Sequence, residues 1–444
     1  MKKIKELFHK YNQPDTLMVF SSYALKDGDI SKQNALAWYT KELLSSLPKS
    51  QKIIVLAENV KGNSNKIIQK DNILIIPCWQ KRNFCSILKN LYYYSVFNRA
   101  KNVLIQFEFN YFGHIFGPLI MLFTLAYLKI LNKKVLFQLH EIVTNLYIIR
   151  KQINLTNKAA LHFFNFSLNV FYKLINFFVD KILVTESSLA AKFKKITGSN
   201  KVMILPIMVK SQLQKVEKNE FNHLKNIYKL KNKFVILFFG YLSWYKGIDW
   251  LVDIFPHLKK KVPNLTLVVA GDASPTLVGD KHYDHWYANL KSKMKKEKDI
   301  IHTGFISNND VELWLSTSDL LILPYKVFKS SSGPLSWALS YNKPVIFSIP
   351  LKEYKKSDDF AYALKKSDLT DSDIFFDLNA KSLANLIQNL KIGQLKKFTK
   401  NLAETRSEKT VSTKLLNIFN PANNKKINNN AKSLLLKALR LAIR

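Results

Sequence analysis

The chain has 444 residues, with 68 Lys and Arg against 32 Asp and Glu, for a formal net charge of +36. Its 47% hydrophobic and 13% aromatic content excludes a disordered chain, and its length asks for two or three domains with cores of their own. Two cysteines, Cys78 and Cys85, without metal-ligand spacing around them exclude a disulfide scaffold and a zinc module.

Met1 to Lys10 (MKKIKELFHK) carries charges where the apolar stretch of a signal peptide would stand, so a cytoplasmic setting is expected. Short β-rich runs follow at Leu17–Ser21, Ile53–Ala57, Ile73–Pro77, Val103–Phe107, Val135–Leu139, Ile182–Thr185 and Val202–Leu205. Helix-length stretches such as Asn34–Leu47 separate most of them. Continuous apolar runs alternating with helices predict a parallel sheet covered on both faces. Glu108 stands just after the fourth run, and His140 with Glu141 just after the fifth. At the carboxyl end of such strands an imidazole or carboxylate faces a ligand cleft and can orient a hydroxyl; a hydrogen-bonded turn histidine is the plainer reading of His140.

Two apolar stretches interrupt this half. Ile115–Leu128 is shorter than the roughly 18 to 20 apolar residues of a spanning helix and is expected to be a buried helix. Leu161–Phe178 crowds aromatics along a helix, where core packing is favoured over a membrane-facing surface.

Residues 210–233 turn polar and charged and read as a linker with helical character. The pattern then restarts at Phe234–Phe239, Leu265–Ala270, Ile300–Thr303, Leu320–Leu323, Val345–Ser348 and Ile374–Phe376. Two doubly wound α/β domains in tandem, residues 1–209 and 234–395, leave a ligand cleft between the carboxyl ends of their strands. Residues 396–420 are read as a helix packing back, and residues 421–444 as a basic amphipathic tail without acidic residues. In that tail Lys437, Arg440 and Arg444 share one helical face opposite Leu435, Ala438, Leu439 and Ala442. Such a helix suits an anionic membrane surface, each basic group contributing ~1 kcal/mol near it; docking on the chain's own core is the alternative.

The second half carries the informative loops. Gly240 ends the run Phe234–Phe239, and Lys246-Gly247 precedes the next helical stretch, so a close turn is followed by a cation. After Leu320–Leu323, the run Ser330-Ser331-Ser332-Gly333-Pro334 opens a helix that should start between Ser332 and Pro334. Its free N–H groups and the positive end of the helix dipole make an anion site. Together with Lys246 they describe a diphosphate cradle.

The ordered set FFGYLSWYKGIDWLVDIF, VPNLTLVVAGD, HTGFISNNDVELWLSTSDLLILPY and SSSGPLSWALSYNKPVI resembles the C-terminal half of group 1 (family 4) retaining glycosyltransferases of GT-B fold, over about Phe234–Ser348. The first half resembles them more loosely, through NALAWYTKEL, QFEFNYFGHIFGP, VLFQLHEIV and VDKILVTESS. The resemblance implies a nucleotide-sugar donor, a UDP- or GDP-sugar, on the C-terminal domain, an acceptor mainly on the N-terminal one, no cofactor and no metal. Gly240 and Lys246 match the loop whose lysine contacts the donor diphosphate; where relatives follow that glycine with arginine, Tyr241 stands here. Gly304 and Phe305 match the loop near the nucleobase, and His140 and Glu141 match a His-acid pair. The family's paired glutamates, the second of which binds the ribose, fall on Lys329 and Trp337. Lys329 is expected to supply the cation that Tyr241 does not. In the front-face reaction so implied, the leaving phosphate takes the acceptor's proton.

The expected activity is therefore sugar transfer to a glycan or lipid-linked glycan acceptor, for surface polysaccharide or glycolipid synthesis, by a protein peripheral to the inner face of the cell membrane. The two missing glutamates leave a non-catalytic partner subunit as the alternative. Nucleic-acid binding is not expected, because the lysines are dispersed and no helix-turn-helix, RNP or zinc signature occurs. No Gly-x-Gly-x-x-Gly follows a strand run, which disfavours an NAD-dependent oxidoreductase.

Overall fold

The computed structural model describes residues 2–25, 35–59, 66–80, 83–109, 116–149, 157–210, 217–275 and 277–419. The tail with Lys437, Arg440 and Arg444 lies outside the described residues.

The first sheet contains β1 (Leu17–Ser21), β2 (Ile53–Glu58), β3 (Ile68–Lys70), β4 (Ile73–Trp79), β5 (Asn102–Phe107), β6 (Lys134–Leu139), β7 (Lys181–Val184) and β8 (Val202–Ile204), in the order β3-β4-β2-β1-β5-β6-β7-β8. Seven of these strands match the apolar runs to within a few residues. The addition is β3, which pairs antiparallel with β4 through a tight turn at Asp71, whose φ is +52°. Asp tolerates that conformation, and β3 escapes an apolar search because Gln69 and Lys70 are exposed at the sheet edge.

The second sheet contains β9 (Phe234–Phe239), β10 (Leu265–Ala270), β11 (Ile300–Gly304), β12 (Leu320–Leu323), β13 (Val345–Ser348) and β14 (Phe375–Phe376), all parallel, in the order β11-β10-β9-β12-β13-β14. β1, β5, β10, β12 and β13 are buried along their whole length, as parallel strands between helical layers must be. In each sheet the chain winds both ways from a central strand, β1 and β9, so the ligand crevice forms beyond the carboxyl ends near those strands. The loops after β9 and β12 meet there.

The chain crosses between the domains twice, and the crossings pair: Val209 N–H donates to the Arg406 carbonyl at 2.9 Å. Arg406 is almost fully buried and grips Glu186 with both terminal nitrogens, at 2.8 and 3.1 Å, while its Nε donates to Asp359 at 2.7 Å. Beyond it the helix Glu408–Phe419 returns to the first domain, where Val411, Leu415 and Ile418 join a core with Leu17, Val19 and Val55.

Two apolar stretches depart from expectation. The first forms the helix Phe116–Ile130, buried through Met121, Leu125 and Leu128, but Leu119, Phe123 and Ile130 are 58%, 59% and 76% exposed. The second forms Lys158–Phe178, whose Phe171, Tyr172 and Ile175 are core residues while Phe163, Phe166 and Phe177 are 65%, 67% and 62% exposed. The sequence has enough apolar residues to cover both faces of each helix, and the sheet takes only one. Among the described residues no helix is long and apolar enough to cross a membrane.

Candidate functional site

The loops after β5, β6, β9, β10 and β12 line one cavity of about 480 Å³ between the two sheets. Its floor on the second domain is glycine built. At Gly240, φ +116°, an added Cβ would lie 3.1 Å from Lys246 Nζ and 3.3 Å from Pro334 Cγ. A Cβ on Gly271 would stand 2.2 Å from the Gly240 carbonyl oxygen. The strand ends thus approach backbone to backbone, and only glycine lets the lysine amine settle over them.

Lys246 closes a short turn, Trp244–Lys246, held by Gly247 in the left-handed region at φ +73°, where a Cβ would collide with the Pro324 carbonyl. Burial lowers the Lys246 ammonium to about 8. Among the described residues no carboxylate forms a salt bridge with it. It is thus a partly desolvated cation, still charged at neutral pH, set against a glycine floor.

The helix after β12 runs Gly333–Ser340, with Ser332 as N-cap, its Oγ accepting from Leu335 N–H at 3.3 Å. The start falls inside the predicted window. Ser331, placed in the diphosphate cradle from sequence, turns toward the other domain: its Oγ is 2.7 Å from Thr185 Oγ1 and 2.9 Å from Glu186 Oε1. Ser331, Ser332 and Gly333 all line the cavity.

Lys329 also lines the cavity, but its Nζ lies 2.6 Å from Glu141 Oε2 across the domain gap. Burial works against this ammonium, yet the neighbouring Glu141 and Glu108 hold it above its usual range. Glu141 and Ser330 form an antiparallel backbone bridge beside the pair. His140 is brought to the same wall; its Nε2 donates to Gln106 Oε1 at 2.9 Å, and burial lowers it to about 4. The imidazole is therefore neutral at physiological pH, a hydrogen-bonding group rather than a cation. Glu108 lines the cavity as well.

Tyr241 and Phe305 stack with ring centroids 6.4 Å apart, both at the cavity wall, and Gly304 turns the chain into that position with φ +72°. Trp337, on the helix Gly333–Ser340, lines the cavity with Lys210 Nζ 4.4 Å from its ring centroid; Lys210 in turn pairs with Glu42 at 2.8 Å.

Asp272 also lines the cavity, although no motif in the sequence points to it. It follows β10 and accepts from Tyr287 Oη and from Ala273 N–H. Burial opposes its charge, but these donors, with His302 and Lys291 nearby, hold the carboxyl below its usual range. An acid at the carboxyl end of a central parallel strand is the signal that would have found it. Asp371 and Asp373, two acids later in the domain, are paired away from the cavity, Asp371 with Lys352 and Lys355 and Asp373 with Lys391.

Residues 220–350 match a family described as glycosyl transferases group 1. No curated protein matches the chain by sequence. Among solved structures, sucrose-phosphate synthase from Thermosynechococcus elongatus is similar with a TM-score of 0.65 and 12% identity, over 92% of this chain and 99% of that one. HepE of Anabaena, solved in complex with UDP and glucose, is similar with a TM-score of 0.61 and 13% identity over 91% and 100% of the two chains. The trehalose-6-phosphate synthase OtsA gives 0.63 and 10% over 90% and 98%. At such identities the likeness is one of fold. The chain therefore has the GT-B fold, and its residues 220–350, which carry Gly240, Lys246 and the Ser331–Gly333 loop, match the group 1 glycosyltransferases.

Proposed function

We propose that the protein transfers a sugar from a nucleotide-sugar donor to a glycan or lipid-linked glycan acceptor, with retention of configuration and without a metal ion. The observation that carries this reading is Lys246: a desolvated ammonium with no carboxylate partner among the described residues, over Gly240, within the stretch that matches the transferase family. Such a cation suits a diphosphate. The helix start at Gly333, which lines the same cavity, adds the positive end of its dipole.

As the bond between the anomeric carbon and the diphosphate oxygen breaks, negative charge grows on the leaving group, and preorganised cations and dipoles stabilise it more than the ground state. The acceptor oxygen bonds to the anomeric carbon on the same face, and its proton passes to the departing phosphate. Neutral His140 orients a hydroxyl by hydrogen bonding. The Tyr241–Phe305 stack offers an aromatic wall to a nucleobase, and Trp337 lines the cavity at the position for which the family resemblance implies a ribose-binding carboxylate. A UDP-sugar is the favoured donor, since HepE was solved with UDP and glucose and an E. coli trehalose-6-phosphate enzyme with UDP-2-fluoro glucose. The acceptor reading places the protein at the cytoplasmic face of a membrane, in surface polysaccharide or glycolipid synthesis.

Incubation of the full chain with UDP-, GDP- and ADP-sugars and a membrane extract tests the reading. Labelled sugar should appear in the lipid or glycan fraction with one donor; absence of transfer and of donor hydrolysis with all of them would favour a non-catalytic partner subunit.

A further inference from the structure

We propose that the paired helices Phe116–Ile130 and Lys158–Phe178 form a docking face that seats on an anionic lipid bilayer. The two helices are neighbours on one side of the first sheet, joined at their ends where Lys129 Nζ lies 4.1 Å from the Phe177 ring centroid and donates to the Phe177 carbonyl at 3.5 Å. Leu119, Phe123 and Ile130 recur at intervals of four and seven, and Phe163, Phe166 and Phe177 at three and eleven, so each set makes one stripe down its helix. All six are more than half exposed. Scattered surface apolar residues need no explanation, but two adjoining stripes of this size mark a docking surface.

Charge selects the occupant. Neither helix contains an acidic residue, and their cationic side chains, Lys129, Lys158 and Lys173, are all exposed. Aromatic rings at the acyl boundary with ammonium groups at lipid phosphates describe a helix pair lying in a membrane interface. A second copy fits less well, because a two-fold contact through this face would bring the lysines of both copies together without an acid between them. The helix starts lie at the carboxyl edge of the first sheet, the edge that carries Glu108 and His140. A bilayer on this face therefore runs beside the mouth of the cleft, where a lipid-linked acceptor is presented. Only the purpose of this docking rests on the acceptor reading above; vesicle binding is measured without sugar transfer, so the two can fail separately.

The test is sedimentation of the full chain with vesicles of phosphatidylglycerol and phosphatidylcholine in equal parts. The triple variant Phe123→Ser/Phe163→Ser/Phe166→Ser should bind about tenfold or more weakly, at unchanged Tm and nucleotide affinity. Lys129→Glu/Lys173→Glu, which leaves the apolar stripes in place, should also weaken binding, and vesicles of phosphatidylcholine alone should bind the wild type less. Deleting residues 421–444 should leave most binding in place. Failure of the wild type to bind, equal binding by the triple variant, or complete loss on deleting residues 421–444 would overturn the proposal. So would a wild-type dimer that the triple variant abolishes while vesicle binding persists.

Discussion

Lys329 Nζ lies 2.6 Å from Glu141 Oε2, so a cation of the second domain is tied to a carboxylate of the first, with both side chains largely buried. The pair rests where charge is expensive without a partner. Lys329 is expected from the family resemblance to face a donor diphosphate, and Glu141 is a competing partner for it. Lys329→Met should destabilise the fold by about 3 kcal/mol or more by leaving Glu141 unpaired, and Glu141→Gln in the same chain should restore much of that loss. Denaturant melts of the single and double variants measure the coupling. Lower donor affinity without a change in stability would instead return Lys329 to the diphosphate.

Lys246 carries the opposite expectation. Its folded value, about 8, lies below the unfolded 10.5, so the buried ammonium costs stability at neutral pH, and that cost is relieved as pH rises from about 8 to 10.5. Lys246→Met should raise apo stability by about 1–3 kcal/mol, discounted for its partial exposure to the cleft, while donor binding is lost. Unchanged donor affinity would remove Lys246 from the diphosphate site.

His140 sets a pH window. Its folded value near 4 lies below the ordinary 6.5, so between these values the unfolded chain takes up a proton that the native chain refuses. Stability should therefore fall as pH drops from 6.5 to 4, by up to about 3 kcal/mol from this group alone. The comparison is with His140→Asn, in which that part of the acid sensitivity should vanish.

Arg406 fastens the domain crossing through Glu186 and Asp359. Arg406→Met leaves a buried carboxylate without its partner and should cost about 3–5 kcal/mol. Amide exchange should rise in the helix Glu408–Phe419, whose return to the first domain begins at this residue. Equal exchange in the variant would dissociate the helix from the anchor.

Strand positions were legible because buried parallel strands are continuous apolar runs, and Leu17–Ser21, Phe234–Phe239, Leu265–Ala270, Leu320–Leu323 and Val345–Ser348 coincide with the observed strands. The helix start at Ser332 was legible because capping is local chemistry. Partnerships across the cleft were not. Glu141 and Lys329 are 188 residues apart in the chain, and Glu186 and Arg406 are 220 apart, so no spacing rule joins them. Composition also failed to say which face of Lys158–Phe178 is covered, since phenylalanine fills both.

A nucleotide-sugar whose diphosphate sits at Lys246 should be seen by isothermal titration of the wild type and of Lys246→Met with UDP and with UDP-glucose, with GDP- and ADP-sugars run alongside. A nucleoside diphosphate or its sugar should bind the wild type and bind the variant about tenfold or more weakly. Equal binding by both proteins, or none to the wild type with any of these nucleotides, would contradict a diphosphate at Lys246.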